Sequence, residues 1–116
     1  MLIGELSRRT GVSPRLLRYY ETQGLLRAGR GPNGYRVYEE RTVVTVRQVR
    51  ALLDAGLSTE VIRSVLPCAR GEQPEFARCA DVRDILGREL AATDERLDGL
   101  RRSRDTLAGF LAQVQP

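Results

Sequence analysis

The 116-residue chain has no histidine and no lysine; all 19 of its basic side chains are arginines. Without histidine there is no imidazole for acid–base catalysis or for a metal site. Without lysine there is no phosphate-cradling loop of the Gly-rich, lysine-bearing kind. No paired carboxylates sit on a cleft-forming frame, so the sequence offers no enzyme. Two cysteines do not make a disulfide framework. No apolar run approaches the roughly 18 residues needed to cross a bilayer. The opening "MLIGELSRRTG" lacks the apolar core of a signal peptide, so a cytoplasmic protein without membrane attachment is expected.

What is present is unevenly placed. Residues 1–38 hold seven Arg against two Glu, a formal +5, whereas residues 39–116 hold twelve Arg against thirteen acids, a formal −1. A basic first third points to a polyanion partner, most simply nucleic acid. Charged residues make up 29% and hydrophobic residues 41%, the balance of an ordered chain. The length suits one compact domain, or a small domain followed by one long helix.

Periodicity supplies the elements. Ile3 to Arg9 predicts a short helix with Ile3 and Leu6 on one face. "TGVS" breaks it: Gly11 supplies a positive φ, and Val12 tucks beneath the next helix as a staple. Ser13 is a good N-cap and Pro14 suits the first helical position, so a second helix runs from Pro14 to about Thr22, before Gly24. Helix, tight turn, helix is the helix-turn-helix pattern. On the second helix Arg15, Arg18, Tyr19 and Thr22 form one stripe at i, i+3, i+4, i+7 spacing. Leu16, Leu17 and Tyr20 lie on the opposite side and are expected to pack on the first helix. Asn33-Gly34 is a type I′ turn signal and Tyr35 to Tyr38 has strand composition, with Arg27 to Ala28 as the expected partner. The result is a two-stranded wing with Arg30 and Arg36 near its tip and edge. A helix from about Glu40 to Asp54 buries Val43, Val46, Val49, Leu52 and Leu53. Another follows the Ser58 cap and stops at Pro67.

From Leu86 onward the sequence changes character. Leu86, Leu90, Thr93, Leu97, Leu100, Arg104, Leu107, Leu111 and Val114 fall in strict 4-3 alternation, and seven of these nine positions are apolar. That is a coiled-coil seam. A helix from Asp81 to Gln113 spans roughly 50 Å at 1.5 Å per residue. It is too long to hide its stripe on the small domain before it, so its expected partner is a second copy. The organisation is then a domain over 1–66, a linker with two Cys over 67–80, and a dimerisation helix over 81–116.

"IGELSRRTGVSPRLLRYYETQGLL", the later "NGYRVY", a helix pair divided by "AGLS" and the long heptad helix together resemble the MerR family of bacterial transcription regulators. The resemblance covers the whole chain and is most specific in residues 3–38. Ala28 stands where a proline is usual and Val46 where leucine is usual. The resemblance implies a mostly α fold, a winged helix-turn-helix followed by a long antiparallel coiled-coil dimerisation helix. It further implies a homodimer that binds double-stranded promoter DNA. Such a dimer bends and untwists an overlong promoter spacer so that RNA polymerase engages both promoter elements. Carried onto this sequence, Ser13, Arg15 and Arg18 match the recognition helix, Tyr19 and Tyr20 its aromatic pair, of which one ring can touch DNA and the other can pack, and Tyr35 and Arg36 the phosphate-holding wing, with Arg30 a weaker match. Arginine offers a two-pronged fork to guanine or phosphate, and a tyrosine hydroxyl donates to phosphate. Leu86, Leu90, Leu97, Leu100, Leu107 and Leu111 match the dimer seam.

The resemblance implies an effector bound near the dimer helix, and functional cysteines in metal- and redox-sensing members around that helix's start or beyond its end. Here Cys68 follows the fourth helix and Cys79 lies two residues before the expected cap of the long helix. Three chemistries remain open for them: ordinary reduced thiols, a reversible thiol–disulfide or electrophile switch, or a soft-metal site shared across the dimer. Arg70, Arg78 and Arg83, with the positive end of the long helix, favour thiolate formation. With the heptad helix reaching almost to residue 116, the family's usual C-terminal metal-binding loop and large drug-binding domain are not expected. No cofactor is expected to be needed for folding, and a soft metal ion is compatible with the two thiols. Two other functions fit some of the same features: an effector-independent architectural DNA-binding protein, and a thiol- or metal-sequestering protein.

Overall fold

The computed structural model describes residues 1–76 and 79–114. The first helix, α1, spans Ile3–Thr10 and ends at Gly11, whose φ of +73° lets its N–H reach back to the Ser7 carbonyl at 2.9 Å. A side chain at that φ would be strained, which is why glycine closes the helix. Val12, 1% exposed, plugs the space beneath the turn. The second helix, α2, spans Pro14–Thr22, and the Ser13 hydroxyl accepts from the Leu16 N–H at 3.2 Å. That single bond satisfies one of the helix's orphan donors. Ser13→Ala is expected to cost about 1 kcal/mol, read as a lowered urea midpoint at fixed protein concentration with an unchanged slope. An unchanged midpoint would show that the cap is not used.

The wing consists of β1 (Gly29–Arg30) and β2 (Arg36–Val37), antiparallel, with Gly29 opposite Val37 and Arg30 opposite Arg36. Two expectations need correction here. The partner strand is Gly29–Arg30 rather than Arg27–Ala28. The turn is also not type I′, since only Gly34, not Asn33, has positive φ. Five residues, Gly31 to Tyr35, connect the strands: the Gly34 N–H closes a turn onto the Gly31 carbonyl, and the Gly31 N–H reaches the Tyr35 carbonyl, each at 2.9 Å. Pro32 at the second position of that turn favours this longer connection over a two-residue one. The base of the wing is tied to the chain start. The Met1 ammonium donates to the Tyr38 carbonyl at 2.8 Å, and the Tyr38 N–H donates to the Met1 carbonyl at 2.7 Å.

Helix α3 (Arg41–Asp54) packs against both α1 and α4 (Thr59–Val65). Its β-branched run stays helical because Val43, Val46 and Val49, spaced by three, all enter the core. Leu52 is buried with them, and Leu53 is only half-buried. Ser58 caps α4 by accepting from the Val61 N–H at 3.2 Å. Leu6, Leu17, Val46, Val49, Ile62 and Val65 are fully enclosed, so α1 to α4 share one core.

The stretch read as a linker carries structure of its own. Leu66–Cys68 makes a 3-10 turn, and β3 (Ala69–Arg70) pairs antiparallel with β4 (Glu75–Phe76), Ala69 opposite Phe76. Two-residue strands have too short a pattern to be seen as a period in sequence. Ala69 is buried, and Gln48 of α3 donates to the Gly71 carbonyl at 3.0 Å, which fastens the hairpin to the helical core.

Helix α5 spans Ala80–Gln113, beginning one residue before the expected start. The chain divides into two compact units, Met1–Val82 and a second that begins at Arg83. Within the second unit Leu90, Leu97, Leu100, Leu107, Leu111 and Val114 are exposed, and Phe110 flanks the same stripe. Leu86 is half-buried. No helix among the described residues is long and apolar enough to cross a membrane.

Candidate nucleic-acid interface

Packing on α2 decides which side chains face outward. Leu17 is fully enclosed, and around it the helix turns Arg15, Arg18 and Tyr19 to solvent. Ser13 is exposed, with its oxygen engaged by the Leu16 N–H. Tyr20 is a correction. It is 2% exposed, and burial raises the pKa of its phenol, opposed by the Arg50 charge and aided by that of Asp54, both on α3. It is therefore a core residue and leaves the DNA-facing set. Leu16 is corrected in the other direction. It is 44% exposed, because it sits about 100° around the helix from Leu17 and only flanks the buried face.

The wing returns its arginines to α2. Arg18, Arg30, Tyr35 and Arg36 line one cleft of about 230 Å³, with Leu2 and Ile3 at the chain start and Gly34 as its other walls. Four residues predicted from separate motifs thus converge. Arg30 is braced by donating to the Gly34 carbonyl at 3.1 Å. Arg36 donates through Nε to Glu21 Oε2 at 2.9 Å, and this hydrogen bond, then the carboxylate's charge, raises its guanidinium pKa. The Tyr38 phenol pKa is raised too, first by burial and then by the Glu21 charge. A second cleft, of about 250 Å³, lies between residues 24–27 and the start of α3 and contains none of the predicted site residues.

Away from α2, Arg9 pairs with Glu40 through its two terminal guanidinium nitrogens, tying α1 to the start of α3 and lowering the Glu40 carboxyl pKa. Cys68 and Cys79 are joined as a disulfide, Cα atoms 6.9 Å apart, closing a loop around the β3–β4 hairpin. Among the described residues, two side-chain hydrogen bonds join that loop to α3. Gln48, itself buried, holds the Gly71 carbonyl, and Arg47 pairs with Glu72. Arg47 also donates to the Arg9 carbonyl at 3.1 Å, in the last turn of α1. Of the arginines expected to bias the thiols, Arg70 bonds the Pro67 and Ala69 carbonyls of its own turn, and Arg78 lies outside the described residues. Bonded to each other, the two sulfurs offer no thiolate to a metal. Among the described residues of one chain, no group of three or more His, Cys, Asp or Glu side chains could hold a metal ion.

Sequence reasoning missed Glu21, Arg47, Gln48 and the Met1 backbone as parts of this arrangement. Glu21 has a local signal, since it follows Arg18 by three residues on the same helix. The others are joined only through folding.

Residues 1–67 match the family described as MerR HTH family regulatory protein. The HTH-type transcriptional regulator HmrR of Rhizobium leguminosarum bv. viciae is 40% identical over 107 residues, 92% of this chain and 81% of that protein. The HTH-type transcriptional regulator PA4778 of Pseudomonas aeruginosa is 32% identical over 116 residues, 99% and 86% of the two chains. Among solved structures, the transcription regulator PbrR691 from Ralstonia metallidurans CH34 in complex with lead(II) superposes with a TM-score of 0.82 at 24% identity. That match covers 100% of this chain and 89% of the other. With its capped helix pair, its wing and a profile match across more than half its length, this chain belongs to the MerR family of helix-turn-helix transcription regulators.

Proposed function

We propose that the protein acts as a homodimer on double-stranded promoter DNA and that the oxidation state of Cys68 and Cys79 sets its transcriptional output. The observation that carries the DNA reading is the shared cleft of Arg18, Arg30, Tyr35 and Arg36 beside the outward face of α2. A recognition helix that enters the major groove needs base-reading forks on its exposed side and phosphate contacts at its flank. Arg15 and Arg18 supply the first, and Tyr19, Tyr35, Arg36 and Arg30 the second. The coiled-coil stripe joins two such units, in the antiparallel arrangement the family resemblance implies, so that they read two half-sites. The dimer distorts the duplex between them, and RNA polymerase engages through the reshaped promoter. Division of the chain into a DNA-binding segment over 1–66, a cysteine segment over 67–80 and a dimerisation segment over 81–116 follows from these roles. PbrR691 was solved with lead(II). The sulfur pair of this chain supports a thiol-based switch.

Two arginine substitutions separate reading from holding. Arg18→Ala should weaken the best duplex by about 1–3 kcal/mol and flatten the preference for its bases. Arg36→Ala should weaken all duplexes alike and reduce the salt slope by about one phosphate contact. Fluorescence anisotropy across a salt series, on a duplex selected by the protein from a random-sequence pool, measures both. Parent-like binding by both variants would remove this face from the interface.

A further inference from the structure

Glu21 is an acid on the helix that faces DNA. A carboxylate there repels phosphate, and removing it should, on charge alone, tighten binding. Its surroundings show a different use. The side chain is 23% exposed, Oε2 accepts from Arg36 Nε at 2.9 Å, and Oε1 lies 3.5 Å from the Tyr38 hydroxyl. Tyr38 is 1% exposed and tied by two backbone hydrogen bonds to Met1, so Glu21 is anchored at the rigid base of the wing. Arg36 lines the cleft with Arg18 and Arg30, and Glu21 does not. Among the described residues, no other side chain accepts from Arg36.

A guanidinium has two usable edges. Held at Nε, its plane is fixed and its Nη1 and Nη2 groups remain for an oxoanion. An unheld arginine would have to surrender its rotamer freedom at the moment of binding. We infer that Glu21 is a positioning residue for DNA binding, orienting the Arg36 guanidinium so that its remaining N–H groups serve one backbone phosphate at the cleft shared with Arg18 and Arg30. The inference rests on the DNA-binding reading above and adds a residue whose charge is of the wrong sign for a direct contact.

The sign of the effect makes the test decisive. The probe is the duplex selected by the full-length parent, and the measurements are Kd and its salt slope, with circular dichroism to confirm folding. Glu21→Ala should weaken binding by about tenfold despite raising the net charge by one, the scale of a lost charge-assisted hydrogen bond. Glu21→Gln, whose amide oxygen still accepts from Nε, should stay within about threefold of the parent. On an Arg36→Ala background, Glu21→Ala should change little further, because the group it positions is gone. Glu21→Asp covers the case in which the alanine variant does not fold. It keeps the charge but withdraws the carboxylate by one methylene, and should also weaken binding. Binding by Glu21→Ala or Glu21→Asp as tight as the parent's, or an equal loss with and without Arg36, would overturn the inference while leaving the DNA reading intact. Failure of the parent to bind any duplex from the pool would overturn the DNA reading itself.

Discussion

Replacing Leu97 and Leu100 together with aspartate should convert the protein from a dimer to a monomer and weaken operator binding by about a hundredfold or more. The exposed stripe is the reason. Leu100, Leu107 and Leu111 are each about two-thirds exposed on a single helix, an apolar surface that a water-soluble chain covers. Leu100 lies midway between Leu86 and Val114, so in an antiparallel pairing centred on the stripe it meets its own copy. Aspartates at 97 and 100 then place carboxylates of both chains at the centre of the seam, unpaired and of like charge, at a cost of several kcal/mol. Two half-sites held by one dimer bind as a chelate. Separate monomers forfeit the effective concentration, in the millimolar range, that the coiled coil supplies. Sedimentation should report the 13.0 kDa monomer mass for the variant and twice that for the parent. Circular dichroism should still show the folded helix-turn-helix core, which contains neither leucine. A monomeric parent at micromolar concentration, or a variant that still sediments as a dimer, would remove the seam from the dimer interface.

How much of this could be read from residues alone depends on the range of the interaction. The helix-turn-helix was legible because each of its signals is local: Gly11 at a left-handed φ, Ser13 reaching a donor three residues on, Pro14 at a position that needs no N–H. The long helix was legible because its period repeats for about four heptads. The wing was found, but its pairing was misplaced by two residues, since the turn signal in Asn33-Gly34 was read without the Pro32 that precedes it. Tyr20 was assigned to DNA by family likeness, while its own spacing from Leu17 placed it in the core, and the spacing was the better guide. The 69–76 hairpin left no periodic trace. Its strands are two residues each, and what holds it is Gln48, twenty-three positions from Gly71. Glu21, Arg36 and Tyr38 form a cluster whose members are ordinary apart and informative only once folding joins them.

The largest effect expected from a chemical rather than a mutational change is on transcription, upon reduction of the Cys68–Cys79 pair. Forming the pair takes two thiols to one disulfide, with two protons and two electrons passing to an oxidant such as a peroxide. Exchange with a small disulfide achieves the same result. Closure over eleven positions restricts the chain by about 3 kcal/mol in the loop-entropy estimate. The hairpin so held is not an idle loop. It supplies the acceptor for buried Gln48, whose loss would leave an unsatisfied amide at a cost of about 1–3 kcal/mol. It also supplies Glu72 to Arg47, which grips the last turn of α1. Reduction therefore loosens a connection that runs from the start of α5 to the helix-turn-helix. If the strain acts on only one of two arrangements of the bound dimer, about 3 kcal/mol shifts their ratio roughly a hundredfold. Occupancy should change little, because the contact residues on α2 and the wing lie outside the loop. The difference should appear in DNA shape and in transcript yield. In vitro transcription from a bound promoter should differ about tenfold or more between oxidised and reduced parent, with Kd within a few-fold. Cys68→Ser, Cys79→Ser and the double variant should all behave as the reduced parent under both conditions. Thiol titration should find two reactive groups in the reduced protein and none in the oxidised one. Equal transcription from all four proteins, oxidised, reduced or loaded with soft metal, would return both cysteines to a structural role. The effector would then have to act elsewhere on the dimer.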